Sequence, residues 1–165
     1  EYPNKGVFVK EFTVKDIEEI YDVRILLESY AIKNSVKTLT SKNIQELMET
    51  LQLLVKYYEK NDLTHYIEVD TQLHQYIINL GGNSLIVDTY RRIYSQSQQF
   101  RIYSLTTQRR FDDSVTEHRS IVENICSGNW KEADRVNKIH LALAREEIIQ
   151  HFESKKAVEE EQENE

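Results

Sequence analysis

EHRSIVENICSGNWKEADRVNKIHL, residues 117–141, reads as two amphipathic helices joined by a tight turn. Gly128 closes the first helix and Asn129 caps the second. Taken by steps of three and four, the first helix puts Val115, His118, Val122 and Ile125 on one face. The second puts Ala133, Val136, His140, Leu143 or Ala144, and Glu147 or Ile148 together in the same way. A histidine thus interrupts each apolar stripe near its middle. His118 lies ten residues before Gly128 and His140 twelve after it. In an antiparallel hairpin the two therefore stand within roughly 3 Å of the same height, at about 1.5 Å of rise per residue.

The pattern recurs upstream. Asp62 caps a helix that runs through HYIEVDTQLHQYIINL and stops at Gly81-Gly82. Its stripe is Leu63, Ile67, Asp70, His74, Ile77. Asp70 and His74 share one face, with Cβ atoms about 5–6 Å apart, and both lie near mid-helix. Burying a carboxylate or an imidazole without partners costs a few kcal/mol or more. Four such interruptions at matched heights point to one interior site made of Asp70, His74, His118 and His140, and helical bundles build metal sites in that place. Three nitrogens and one oxygen suit zinc, nickel, iron, cobalt or manganese, whereas calcium and magnesium prefer oxygen shells. His65 and His151 sit near a helix start and a helix end and are expected to face solvent.

The rest of the chain reads as further helix. Thr13 and Asp16 form a capping box before IEEIYDVRILLESYAIKNSVK. Ser41 opens a second helix. Asn83 caps a fourth, SLIVDTYRRIYSQSQQFRIYSL, the fifth starts near Asp112 or Asp113, and the sixth runs to about Phe152. Short connections imply antiparallel neighbours, so the expected fold is an all-α antiparallel bundle of six or seven helices around a metal and ligand cavity. Residues 11–153 form that domain. Residues 154–165 lack an apolar period and read as a disordered acidic tail. Residues 1–10 carry a turn signal, Asn4-Lys5-Gly6, before Val7-Phe8-Val9, which reads either as the last strand of a hairpin or as an unstructured terminus.

Two arginines lie on apolar lines. Arg24 follows Ile17 and Ile20 or Tyr21; it either pairs with Glu28 four residues on or points into the cavity to hold an anion. Arg101, on the line Tyr90, Ile93, Ser97, is a second candidate of that kind. Glu117 adjoins His118, but a helical neighbour points about 100° away, so no carboxylate is expected beside the cluster as a general base.

Composition bounds the function. The 165 residues carry a net charge of −7, which disfavours direct contact with nucleic acid. No apolar run approaches the 18 or so residues of a membrane span, and no leader pattern is visible. The single Cys126 cannot form an internal disulfide and fits a cytoplasmic location.

The segments NKGVFVKEFTVKDIEEIYDVRILLESYAI, the D-x-x-x-H pair at Asp70 and His74, and EHRSIVENICSGNWKEADRVNKIHL resemble the FadR-type branch of the GntR transcription regulators. In that branch a winged helix-turn-helix precedes an all-helical ligand-binding domain, the FCD domain. The resemblance covers residues 1–152 and implies that residues 1–10 are the remnant of a wing and linker. It also implies that Asp70, His74, His118 and His140 hold a divalent ion, commonly zinc or nickel. Arg24 would contact the carboxylate of a small organic acid. Family members are usually homodimers, and operator DNA would be contacted only through the N-terminal domain. The expected function is metabolite sensing without catalysis. A metal-assisted hydrolase and a bundle merely stabilised by metal are the alternatives.

Overall fold

A computed structural model describes residues 12–98 and 100–163, with side chains to residue 158. Six α-helices follow one another: α1 Val14–Ser35, α2 Ser41–Glu59, α3 Leu63–Leu80, α4 Ser84–Ser97, α5 Gln108–Cys126 and α6 Trp130–Glu163, with a short 3₁₀ helix over Arg101–Leu105. The expected wing remnant and residues 164–165 lie outside the described residues. No described helix is long and apolar enough to cross a membrane.

Most helix starts follow the capping chemistry. Thr13 and Asp16 form both bonds of the capping box, Asp62 accepts from the His65 amide, and Asn83 accepts from the amides of Leu85 and Ile86. Four boundaries differ from expectation. Thr40, rather than Ser41, is the cap of α2, in a reciprocal pair with Asn43. The expected fourth helix over 84–105 ends at Ser97, because Phe100 turns into the core and Arg101 reaches back to Asp70. α5 begins at Gln108, capped by Thr107, which accepts from the Arg110 amide. Finally, α6 does not stop near Phe152 but runs to Glu163, so the expected disordered tail is helical over most of its length. Its Lys, Ala and Glu residues are strong helix formers with no Gly or Pro to break the run.

Helices α2 and α3, α5 and α6, and α1 and α6 pack antiparallel, whereas α1 and α3 run parallel, Glu28 facing His74 and Ala31 facing Gly81. Asp22–Arg145 and Glu28–Asn137 fix the register of α1 on α6. Thr106–Glu147 and Glu117–His140 do the same for α5 and its approach on α6, and Asn43–Tyr76 with Tyr57–His65 for α2 on α3. α1 approaches α3 so closely that a Cβ at Gly81 would lie 2.7 Å from the Ala31 Cα. Gly82, at φ +71°, then makes the left-handed turn into α4.

The apolar interior is divided in two. The larger cluster includes Leu47, Leu51, Leu73, Ile77, Ile121, Val122 and Ile125. The smaller comprises Ile17, Ile20, Tyr21, Phe100, Leu141, Ala144 and Ile148. Along α1, Arg24 and Glu28 separate Tyr21 of the small cluster from Ala31 of the large one; along α6, Asn137 and His140 separate Val136 from Leu141. A buried polar layer crosses the bundle at that level.

Candidate metal centre

That layer contains the four residues picked out by the interrupted stripes. Asp70 and His74 come from α3, His118 from α5 and His140 from α6, and all are buried. One donor atom from each lies within 4.8 Å of the others. His118 Nε2 is 2.8 Å from Asp70 Oδ1 and 3.2 Å from His74 Nε2, and His74 Nε2 is 3.7 Å from the same oxygen. The His118 and His140 rings meet at a centroid distance of 4.4 Å, as the matched heights around Gly128 require. His65 is half exposed and bonds Asp62, whereas His151 stacks on Tyr103 at 3.9 Å instead of simply facing solvent.

These distances test whether the residues suit a metal. With metal–nitrogen and metal–oxygen bonds of about 2.0–2.2 Å, neighbouring donors in a tetrahedral or octahedral shell stand about 3.0–3.5 Å apart. The contacts among Asp70, His74 and His118 bracket that spacing, and with all four donors within 4.8 Å a compact transition ion fits after modest shifts of the side chains, outward for the closest pair and inward for the widest. A groove between α1 and α6, lined by Glu18, Asp22, Arg145 and Glu146, contains none of the four.

Each donor is held from behind. Asp70 presents its second oxygen to Arg101, which also donates to Thr71 at 2.7 Å. His74 Nδ1 donates to Glu28 at 2.8 Å, and His140 Nδ1 lies 2.7 Å from the Glu117 carboxylate. His118 Nδ1 lies 3.1 Å from the Tyr66 hydroxyl and 3.4 Å from that of Ser114. A carboxylate only accepts, so Glu28 assigns the proton of His74 to Nδ1 and leaves Nε2 free to ligate, whereas His140 Nδ1 faces both the acceptor Glu117 and the donor Arg110 Nη2, 3.3 Å away. This is the carboxylate–histidine arrangement that orients metal ligands. Glu117 therefore corrects the sequence expectation: it does turn from His118, but towards His140, where Arg110 also donates to it at 2.9 Å.

Electrostatics favour the ligating forms. Burial works against an ionised Asp70, but Arg101 and the facing histidines outweigh it and hold the carboxyl well below the usual range. Burial lowers the pKa of His74, against the opposing pull of Glu28. It lowers that of His140 further, reinforced by His118, His74 and Arg110. Glu117 is shifted up by burial, with Arg110 opposing.

The arginines occupy definite places. Arg24 Nε donates to Glu28 Oε1 at 3.1 Å and its Nη2 lies 3.1 Å from the same oxygen without hydrogen-bond geometry, which together make the intrahelical pair. Arg101 lies against Asp70. The residues that sequence reasoning passed over are Tyr66, Ser114, Asn137, Tyr90 and Arg110. Tyr66 and Ser114 stand four residues before Asp70 and His118, and Asn137 three before His140. Extending the stripes for polar partners at those offsets would have found these three. Tyr90 and Arg110 have no such sequence signature.

The FCD domain profile matches residues 19–143. The chain belongs to the FCD domain family. This is the family that the quoted segments resemble, and the FadR-type branch of the GntR regulators is consistent with it. Solved structures agree on the fold. The chain is similar to the metal-free FCD domain of TM0439, at 24% identity and a TM-score of 0.75, covering 88% of this chain and 99% of that one. Similarity to the Zn2+-bound FCD domain of TM0439 is 25% identity with a TM-score of 0.68, covering 87% and 98%. McbR/YncC of E. coli is 16% identical with a TM-score of 0.78, over 86% of this chain and 71% of that one. No curated protein sequence matches.

Proposed function

We propose that this FCD domain is the effector-sensing part of a GntR-type transcription regulator acting in the cytoplasm. In this reading Asp70, His74, His118 and His140 hold one divalent transition ion, zinc or nickel first, and a small organic acid binds beside it. The observation that carries the reading is the buried cluster itself, four donors within 4.8 Å on three helices, each backed by its own hydrogen-bond partner. The similarity to an FCD domain solved in metal-free and Zn2+-bound forms supports it.

The bound ion would supply a Lewis-acidic site for a carboxylate or hydroxyl oxygen of the acid. The chain's own contribution is charge and orientation. Arg24 is buried at 3% exposure and turns both Nε and Nη2 to the single oxygen Glu28 Oε1, Nη2 without hydrogen-bond geometry, which leaves guanidinium donors for a carboxylate oxygen. Arg101 keeps Asp70 ionised and aimed at its partners. Because α1, α3, α4, the 3₁₀ helix and α6 all contribute to the layer, an acid that prefers one arrangement of these helices can shift the spacing of DNA-binding domains attached to them. Such domains would lie N-terminal to the bundle.

A homodimer belongs to this reading, since two-fold symmetric operators suit paired domains. Val23, Leu26 and Tyr30 on α1 and Ile139 and Leu143 on α6 are exposed. The antiparallel register brings them to similar heights, and an apolar patch of that kind marks an interaction surface. Calorimetric titration of the metal-loaded protein with a panel of hydroxy acids and dicarboxylates tests the function. Saturable binding that is lost in Arg24→Ala is expected; a panel without any binder would count against effector sensing.

A further inference from the structure

Glu28 is the most heavily bonded side chain of the polar layer, and it is fully buried. Its Oε1 accepts from Arg24 Nε at 3.1 Å and from the Tyr90 hydroxyl at 3.0 Å. Its Oε2 accepts from His74 Nδ1 at 2.8 Å and from Asn137 Nδ2 at 3.0 Å. The partners belong to α1, α4, α3 and α6, so one carboxylate joins four helices. An ionised carboxylate in such a place costs several kcal/mol unless it is compensated. An intrahelical pair with Arg24 would have needed neither the histidine nor the amide.

We propose that Glu28 is a positioning residue for the metal, fixing His74 with its proton on Nδ1 and Nε2 turned towards Asp70 and His118, and linking that ring to Arg24. The inference deepens the metal reading above and rests on it. All four groups around Glu28 donate, and a carboxylate has no proton to return, so the tautomer of His74 is set by chemistry rather than by ring packing alone. His118 lacks this constraint: its Nδ1 faces hydroxyls, which donate or accept equally well. Glu28 thus provides a fixed point on the α3 side of the cluster. Because its other oxygen holds Arg24, an anion drawing that guanidinium away changes the electrostatic support of His74. Metal and acid are thereby coupled through a single side chain.

The test uses zinc and two near-isosteric variants. Competition against a chromophoric chelator measures the zinc affinity of the wild type, Glu28→Gln and Tyr76→Phe. Loss of an outer partner of a ligating histidine weakens metal binding by about 10–100-fold, and that loss is expected in Glu28→Gln. Tyr76→Phe removes a hydrogen bond from α3 to Glu46 of α2, outside the polar layer, and is expected to keep the wild-type affinity. Long-range nitrogen–proton correlation spectra of the metal-free wild type should place the His74 proton on Nδ1. Equal zinc affinity in Glu28→Gln and wild type overturns the inference while leaving the metal reading intact. A wild type that binds no zinc overturns both. Should Glu28→Gln fail to fold, the wild-type spectrum decides, and a proton on His74 Nε2 overturns the inference.

Discussion

Asp70 gives one carboxylate oxygen to Arg101 and the other to His118, and both neighbours are buried with it. Removing its charge alone, in Asp70→Asn, keeps the shape and an acceptor for His118 but leaves Arg101 without a counter-charge. Breaking a buried ion pair from one side costs about 3–5 kcal/mol, so denaturant unfolding of the metal-free variant should show a loss of that order. A loss below about 1 kcal/mol, the scale of an exposed pair, would mean that Arg101 finds solvent or another partner. The identities of the four donors were legible because each breaks an apolar period. Their supporting partners were less so. Glu117 was excluded by the angle between helical neighbours, yet its side chain is long enough to reach a ring on the facing helix. Tyr90 and Arg110 meet the layer only through tertiary packing, which no spacing along the chain encodes.

At the scale of elements, the close approach of α1 and α3 sets how near Glu28 comes to His74. Gly81 has ordinary helical dihedrals, so its role is steric: an added methyl would meet the backbone and Cβ of Ala31 at 2.7 and 2.9 Å. Gly81→Ala should therefore destabilise the domain by about 1–3 kcal/mol, as overpacking does, and should also weaken zinc binding by moving α1 off the ligand layer. Thermal unfolding and chelator competition on the same sample check both effects; wild-type values in both would show that the contact relaxes freely. The helix count and most caps could be read from Thr13, Asp62 and Asn83. The α4–α5 region could not, because Thr107, Asp112 and Asp113 are all good caps and only burial of Phe100 and the Asp70–Arg101 pair decides among them. The length of α6 was missed because absence of an apolar stripe removes a reason to pack but leaves helix propensity in place.

For the molecule as a whole, the buried layer ties stability to pH. His74 and His140 have pKa values below their ordinary 6.5. Below that value the unfolded chain takes up protons that the folded state refuses, and stability falls with acidity. Asp70 and Glu28, both held low, add a loss of the same sign below their ordinary 3.8 and 4.5. Glu117, shifted upward, works the other way between 4.5 and its own pKa. The metal-free protein should therefore lose about 1 kcal/mol or more between pH 7.5 and 5, the equivalent of one pKa unit on one group, measured by denaturant midpoints at each pH. A flat or rising profile would mean that the histidines are charged in the fold. Metal binding adds stability on top, since an ion that binds only the folded state contributes about 2.7 kcal/mol at a hundred times its Kd. The most direct measurement of the central claim is zinc and nickel titration of chelator-treated protein, with unfolding followed in parallel. One ion per chain with a raised unfolding temperature, both abolished in His118→Ala, is the result this account predicts. A wild type that takes up no ion, or a His118→Ala variant that binds as tightly, would contradict it.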